Sequence, residues 1–150
     1  MASRTRDALA VLGAGSAHLV FTAHSVPVAM AEASPYVREI EASSRLVAAA
    51  VGDRDFTVAY QSRSGNPGDP WLEPGVNEVI RALAARGVRD LVLVPIGFVC
   101  DHVEVLYDLD VEAMDIAVAC GVGFHRAAAA NDHPAFIAML ADLVRRGPVS

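Results

Sequence analysis

The stretch of sequence that decides the fold, residues 90–119, reads DLVLVPIGFVCDHVEVLYDLDVEAMDIAVA. Residues 90–95 are a nearly continuous apolar and β-branched run, which is typical of a strand covered on both faces. Over residues 103–119 the apolar positions recur every three or four residues, as on one side of a helix. A strand that leads into a helix of this length is the repeating unit of a parallel α/β sheet.

The same alternation of short apolar runs and longer helical stretches occurs along the rest of the chain. We predict strands over residues 18–23, 56–61, 90–95 and, more weakly, 122–125. An opening helix over residues 4–12 precedes the first strand, and further helices are predicted over residues 35–51, 75–86, 103–119 and 134–146. Four of these helices are followed by a glycine that could close them in the left-handed conformation, namely Gly52, Gly87, Gly121 and Gly147. The predicted fold is therefore a single α/β domain over residues 1–150, with a four-stranded parallel sheet flanked by helices.

Composition excludes several classes of protein. The chain has 150 residues, the size of one domain, and a formal net charge of −6, which offers no basic surface for a nucleic acid. No apolar run approaches the roughly 20 residues of a transmembrane helix, and the first residues are too weakly apolar for a secretory signal, so we expect a cytoplasmic protein. Cys100 and Cys120 form no CxxC pair, which gives no support for a disulfide or a metal–thiolate site.

The first candidate site residue, His24, follows the first predicted strand and stands before Ser25 and Pro27, which ends the strand. In parallel sheets, ligands bind at the carboxyl ends of the strands, where this histidine is expected to lie. A neutral imidazole there can accept a proton or bind a divalent cation. A purely structural histidine is the alternative.

A second group of candidates follows the third strand. Asp101 and Glu104 have the spacing of a helix capping box, which explains them without any function. Glu104, Asp108 and Glu112 recur every four residues, so three carboxylates share one helix face at a cost of a few tenths of a kcal/mol per pair. Either a bound cation or a simple solvated acidic face accounts for this arrangement.

A third group surrounds the loop of residues 62–74, which is rich in glycine and proline and follows the second strand. Ser62 and Arg63 begin this loop, and Trp71 lies near its end. A tryptophan on a polar loop either contacts a flat ligand or folds back to fill the loop.

Together these motifs resemble the carboxy-terminal half of ferrochelatases in their order and wording. The matching segments are TAHSVP (22–27), YQSR (60–63), WLEP (71–74), PIGF (95–98) and DHVEVLYDLD (101–110). The resemblance implies a chelatase-like, Rossmann-like three-layer domain. It also implies insertion of ferrous iron into protoporphyrin IX or coproporphyrin III in haem biosynthesis. The alanine- and arginine-rich composition indicates a bacterium with a GC-rich genome, which favours coproporphyrin.

The resemblance assigns roles to individual residues. It implies that His24 and Glu104 face each other across the porphyrin pocket as the catalytic pair and as metal ligands. Asp108 and Glu112 are then the acidic residues that lead the metal towards that pair. The residues expected to bind the porphyrin are Ser62, Arg63, Trp71, His102 and Tyr107.

Ferrochelatases are about twice as long as this chain, and their amino-terminal half supplies much of the porphyrin-binding wall. Activity is therefore expected to need a second half, either a separate amino-terminal polypeptide or a second copy of the chain. Iron is expected as a substrate and not as a bound cofactor, and no iron–sulfur cluster is expected, because the chain lacks the cysteine-bearing tail of some members. The alternatives are a short sirohydrochlorin or cobalt chelatase, and a truncated domain that binds porphyrin or metal without catalysis.

Overall fold

The computed structural model describes residues 1–13, 16–65 and 68–147. The strands in these ranges are β1 (His18–His24), β2 (Phe56–Gln61), β3 (Asp90–Val94) and β4 (Gly123–Arg126). All pair in parallel, in the order β2-β1-β3-β4. The helices are α1 (Ala2–Leu12), α2 (Val28–Glu32), α3 (Tyr36–Ala50), α4 (Val76–Ala85), α5 (Val103–Tyr107), α6 (Met114–Ala119) and α7 (Pro134–Arg146), with a π-helical segment, π1 (Asp108–Ala113), between α5 and α6. The predicted four-stranded parallel sheet flanked by helices is confirmed.

The predicted boundaries agree with the structure to within about two residues, and three details differ. The short helix α2 was not predicted, because five residues are too few to show a helical period. The predicted helix of residues 103–119 is continuous but changes from α to π and back at π1. Parts of two predicted loops, residues 14–15 and 66–67, lie outside the described residues. The four glycines after the helices all have positive φ angles, as predicted.

The core consists of two apolar layers, one on each face of the sheet. On one face, Val20, Leu91 and Leu93 pack with side chains from α4 and from the helix of residues 103–119. On the other face, Phe21 and Val92 pack with α1 and α3. Successive residues of β1 and β3 therefore point into opposite layers, as the side-chain alternation of a strand requires. This arrangement makes the domain three layers thick. No helix among the described residues is both long and apolar enough to cross a bilayer.

The chain after β3 crosses the end of β1 at very short range. The Gly97 amide donates a hydrogen bond to the Thr22 carbonyl at 3.0 Å. A Cβ atom on Gly97 would lie 2.7 Å from the Ala23 Cβ and 2.8 Å from the Ala23 Cα. Only glycine fits this crossing, which lies one residue before His24.

We predict that Gly97→Ala lowers the free energy of unfolding by about 1–3 kcal/mol, because the new methyl group would overlap the backbone of Ala23. Gly68→Ala is the matched control, since a Cβ there meets nothing within 4 Å, and its effect should stay within about 0.5 kcal/mol. Urea unfolding followed by circular dichroism measures both. Equal stability of the two variants would contradict the close approach.

Candidate active site

A histidine–carboxylate pair lies at the carboxyl rim of the sheet. His24 is the last residue of β1, and Glu104 is in the first turn of α5. The His24 Nε2 and Glu104 Oε1 atoms are 3.4 Å apart, and the two side chains are 35% and 45% exposed. The two residues that the resemblance expects to face each other are therefore in contact, while their chemical roles stay predictions.

The hydrogen bonds of His24 determine which ring nitrogen carries a proton. Its Nδ1 lies 2.5 Å from the carbonyl oxygen of Ser25, which can only accept a hydrogen bond. Nδ1 must therefore donate, and in the neutral ring the lone pair is on Nε2, facing Glu104. The separation of 3.4 Å is longer than a direct hydrogen bond. The Nε2 lone pair and the Glu104 carboxylate oxygen repel each other, and a proton or a cation between them replaces this repulsion by attraction.

The backbone of His24 is held by a residue that the sequence analysis missed. The Tyr36 hydroxyl donates to the His24 carbonyl at 2.9 Å. Burial, together with the nearby Tyr60, raises the pKa of Tyr36, so the phenol stays protonated and remains a donor. The next residue, Ser25, is fixed by a hydrogen bond from its hydroxyl to the Leu72 carbonyl at 2.9 Å. No sequence motif relates positions 24 and 36, because the contact arises only when α3 packs beside β1.

A cleft of about 360 Å³, here called the rim cleft, opens beside β2 and next to Ser25. Two predicted porphyrin-binding residues, Ser62 and Arg63, and two predicted metal ligands, Asp108 and Glu112, are among its lining residues. The remaining lining residues are Ser25, Tyr60, Gln61, Leu72, Glu73, Gly75, Val76, Asn77 and Glu78. The structure thus brings residues of the second and third candidate groups to one cleft.

The Asp108 carboxylate is anchored to the end of β2. Its Oδ2 atom accepts hydrogen bonds from the Gln61 side-chain amide at 3.2 Å and from the Ser62 hydroxyl. Ser62 adopts a left-handed conformation with φ of 59°, which is uncommon for a residue with a side chain. Both donors engage Oδ2, so these two bonds leave Oδ1 available to another partner.

Asp108 and Glu112 both belong to the π-helical segment. Short π-helical segments inside α-helices occur frequently at functional sites. Among the described residues, no three histidine, cysteine or acidic side chains are grouped closely enough to hold a metal ion together. The predicted metal ligands thus form a contacting pair, His24 and Glu104, followed along the helix by the separate carboxylates of Asp108 and Glu112.

Three predicted porphyrin-binding residues lie outside the lining of the rim cleft. The Trp71 ring packs over Gly65, where a Cβ would be 3.0 Å from the ring. His102 is exposed and meets Phe98 edge to face, with ring centroids 5.5 Å apart. Tyr107 is 56% exposed on α5. Their contact with a porphyrin stays a prediction.

The predicted capping box at Asp101 and Glu104 is wrong. The residue that precedes the helix as its cap is His102, and it makes no capping hydrogen bond through its side chain. Asp101 instead accepts hydrogen bonds from Arg126 Nη1 and from the side-chain amide of Asn131, both at 2.8 Å. Leaving a largely buried guanidinium without a carboxylate costs more free energy than leaving a solvated helix end without a cap. Asp101 therefore pairs with Arg126 and does not cap the helix.

Arg126 connects the end of β4 to the residue pair that precedes α5 and to the π-helical segment. Besides Asp101, it binds Asp110 of π1 through Nε at 2.6 Å and Nη2 at 2.9 Å. Burial by itself lowers the pKa of Arg126, but the hydrogen bonds and negative charges of Asp110 and Asp101 outweigh burial and raise it. Arg126 is therefore a positioning residue, which fixes Glu104 and Asp108 relative to the sheet. A charged residue inside the largely apolar segment 122–130 was the available signal in the sequence.

Comparison with known proteins identifies the family. The family model described as Ferrochelatase matches residues 1–147. The chain belongs to the ferrochelatase family. It is 47% identical over 131 residues to the coproporphyrin III ferrochelatase of Mycolicibacterium smegmatis, a match that covers 85% of this chain and 38% of that ferrochelatase. It is 45% identical over 148 residues to the ferrochelatase of Rhodopirellula baltica, covering 97% of this chain and 42% of the relative.

A third relative is the coproporphyrin III ferrochelatase of Propionibacterium freudenreichii, which is 47% identical over 137 residues, or 85% of this chain and 39% of that protein. The chain thus spans about two fifths of the length of the ferrochelatases that it matches. The resemblance inferred from the motifs is confirmed at the level of the family.

We predict that Arg126→Met lowers the free energy of unfolding by about 3 kcal/mol, because it leaves Asp101 and Asp110 without their cation. This loss is at the low end of the range for removing one partner of a buried ion pair, because the Asp110 side chain is 34% exposed. Arg45→Met is the control, since it removes the exposed ion pair with Glu41 and should cost less than about 0.5 kcal/mol. Chemical unfolding measures both, and a loss at Arg126 no greater than that at Arg45 would refute the positioning role.

Proposed function

We propose that this chain is the half of a ferrochelatase that removes the pyrrole protons and receives the metal. Together with a second half, it inserts Fe²⁺ into a porphyrin. The observation that carries the proposal is the contact between His24 Nε2 and Glu104 Oε1 at the sheet rim, with Nδ1 held as a donor by Ser25. The contact supports the proposal because it joins an imidazole and a carboxylate at the edge where α/β folds bind ligands.

The reaction consumes a free-base porphyrin and Fe²⁺ and releases the ferrous porphyrin and two protons. We assign the first proton to His24 Nε2, whose lone pair is free in the neutral ring. The imidazolium that forms is stabilised by the Glu104 carboxylate 3.4 Å away. Both side chains are partly exposed, so the proton can pass to solvent before the second one is taken. Bending of the macrocycle by the binding pocket would expose the nitrogen lone pairs to the metal.

The carboxylates of π1 provide a route for the iron. Asp108 and Glu112 line the rim cleft, and Asp108 keeps one carboxylate oxygen outside its bonds to Gln61 and Ser62. Single carboxylates bind a divalent ion weakly, which allows the ion to move on. We propose that these residues pass Fe²⁺ towards the His24–Glu104 pair.

The proposed porphyrin is coproporphyrin III, since two of the relatives described above are named as coproporphyrin III ferrochelatases. Arg63 has an exposed guanidinium at the rim cleft, where it is 3.5 Å from Glu73, and could exchange that carboxylate for one of the substrate. Protoporphyrin IX is the alternative substrate. Cys100 and Cys120 are unpaired, in line with the proposed cytoplasmic location.

The two rival functions differ in what they require. A short sirohydrochlorin or cobalt chelatase would act as a homodimer on a different tetrapyrrole, and the match to the ferrochelatase family model favours iron and porphyrin instead. A truncated, non-catalytic domain would bind porphyrin or metal without releasing protons. Metal insertion into a porphyrin therefore separates the proposed function from both rivals.

We predict that His24→Ala and Glu104→Ala each lower kcat for metal insertion at least 100-fold, because general acid–base catalysis typically contributes 10²–10⁴-fold. The assay mixes the chain, alone and co-purified with the segment of the Mycolicibacterium smegmatis enzyme that it does not match, with Fe²⁺ or Zn²⁺ and either porphyrin. The absorption spectrum follows the loss of free-base porphyrin. His125→Ala, a histidine in the middle of β4, is the control and should keep wild-type kcat. Insertion by the wild type no faster than by His24→Ala, in both preparations, would end the catalytic assignment.

A separate prediction concerns the iron route. Asp108→Asn and Glu112→Gln should each raise the KM for the metal at least fivefold and leave the KM for the porphyrin nearly unchanged, because each removes one negative charge from the rim cleft. Steady-state kinetics at varied metal concentration measure this. A change confined to the porphyrin KM would assign these carboxylates to substrate binding instead.

A further inference from the structure

One side chain, that of Asn131, joins the loop after β4 to the loop after β3. Its Oδ1 atom accepts a hydrogen bond from the Asp101 amide at 2.8 Å, and its Nδ2 atom donates one to the Asp101 carboxylate, also at 2.8 Å. The Asn131 backbone amide donates to the Val99 carbonyl at 2.8 Å. Hydrogen bonds from one residue therefore hold residues 99–101, which lie just before α5.

The chemistry of this contact selects an asparagine. The Asp101 amide can only donate a hydrogen bond, and its carboxylate, paired with Arg126, can only accept one, so the partner must offer an acceptor and a donor side by side. An aspartate in the same place would turn an oxygen towards the Asp101 carboxylate, where two like charges repel. The backbone agrees, because Asn131 has a φ of 49°, and asparagine tolerates this left-handed conformation better than most residues with a side chain.

The Asp101 carboxylate, which is the other half of this contact, is largely buried. Its side chain is 16% exposed, and its Oδ1 atom accepts hydrogen bonds from Arg126 Nη1 at 2.8 Å and from the Ala129 amide at 3.2 Å. Asn131 supplies the hydrogen bond to the second oxygen, Oδ2. A buried carboxylate oxygen without a donor is costly, so loss of the Asn131 side chain would displace Asp101 towards solvent.

The first turn of α5, which carries Glu104, begins directly after this anchor. Its own cap does not fix it, because the residue that precedes it, His102, is exposed and makes no capping hydrogen bond through its side chain. Val103 and Glu104 are exposed as well, and Val105 is the first buried residue of the turn. Helix ends fray unless they are tied down, so the position of this turn depends on residues 99–101.

We infer that Asn131 is a positioning residue for the His24–Glu104 pair. By holding Asp101 at its backbone and at its carboxylate, it sets where the first turn of α5 begins, and it thereby keeps Glu104 Oε1 at 3.4 Å from His24 Nε2. Arg126 reaches Asp101 through the carboxylate and so does not fix its backbone. The inference rests on the proposed function in taking His24 and Glu104 as the catalytic pair.

The test uses two variants of the full chain, Asn131→Gly and Asn131→Asp. Asn131→Gly keeps the left-handed backbone and removes the side chain, whereas Asn131→Asp keeps the size of the side chain and replaces its donor by an oxygen. Asp53→Gly is the matched control, because Asp53 is also left-handed, with a φ of 50°, and lies exposed before β2, at the amino edge of the sheet.

Two NMR measurements on the metal-free chain follow the site without relying on catalysis. Hydrogen exchange at the Leu106 amide, which donates to the His102 carbonyl at 3.0 Å, reports on the first turn of α5. Exchange at the Leu93 amide, in the middle of β3, reports on the sheet. The ¹⁵N shift of Nε2 in the His24 ring reports on the Glu104 carboxylate beside it, and Glu104→Ala gives the shift that the loss of this carboxylate produces.

We expect both Asn131 variants to raise the exchange rate at Leu106 by roughly tenfold or more relative to Leu93, because the first turn opens locally while the sheet stays closed. The His24 Nε2 shift should move most of the way to its value in Glu104→Ala. Asp53→Gly should keep the wild-type value of both measurements. Unchanged exchange at Leu106, an equal rise at Leu106 and Leu93, or an unchanged His24 shift would each overturn the inference.

Metal insertion, measured with the chain alone and with the co-purified segment, tests the consequence for catalysis. We expect kcat to fall by roughly tenfold or more in both Asn131 variants, because a misplaced catalytic group loses rate, while the KM for the porphyrin stays within about twofold. A wild-type kcat in both variants would overturn the positioning role. If the wild type itself inserts no metal, the proposed function fails, and the NMR measurements still decide whether Asn131 holds Glu104 against His24.

Discussion

The structure depends on one strand, β1, which is hydrogen-bonded along both edges and buried on both faces. Between its two end residues, every residue from Leu19 to Ala23 is fully inaccessible to solvent. A strand in this position must be largely apolar, and Thr22 is the one polar residue among those that β1 buries completely. The first polar side chain of β1 that solvent can reach at its carboxyl end is His24. The burial of β1 therefore places the imidazole at the rim, and the close crossing at Gly97 keeps it there.

Around this fixed histidine, the other polar contacts are arranged by the helix of residues 103–119. Its first turn brings Glu104 to Nε2 of His24, and its π-helical segment brings Asp108 to the end of β2. Arg126 ties this helix to β4 through Asp110 of π1 and binds Asp101 just before the helix begins. The site thus consists of single contacts between separate elements, and the largely buried Arg126 holds these elements together. Among the residues that the structure describes, this site contains no group of three histidine, cysteine or acidic side chains that could hold a metal ion.

The domain forms its own two-layered core and its own histidine–carboxylate pair, yet none of the residues of α7 is buried. The chain also spans only about two fifths of the length of the ferrochelatases that it matches. Both observations agree with the proposal that a second half completes the protein.

The sequence by itself determined the fold and the family. The mainly apolar, β-branched runs at residues 56–61 and 90–95 indicated strands of a parallel sheet, and glycines such as Gly87 marked the ends of the helices, because both signals are local. It also predicted His24 and Glu104, through ordered motifs. Only the tertiary structure decided that Asp101 binds Arg126 and does not cap the helix, that Tyr36 holds His24, and that Trp71 packs over Gly65 outside the rim cleft. The contacts of Asp101 and Tyr36 join residues from different elements, and a buried charge or hydroxyl selects its partner by proximity and desolvation, which local sequence patterns do not encode. The contact of Trp71 with Gly65 lies within one loop, whose path the sequence pattern does not specify.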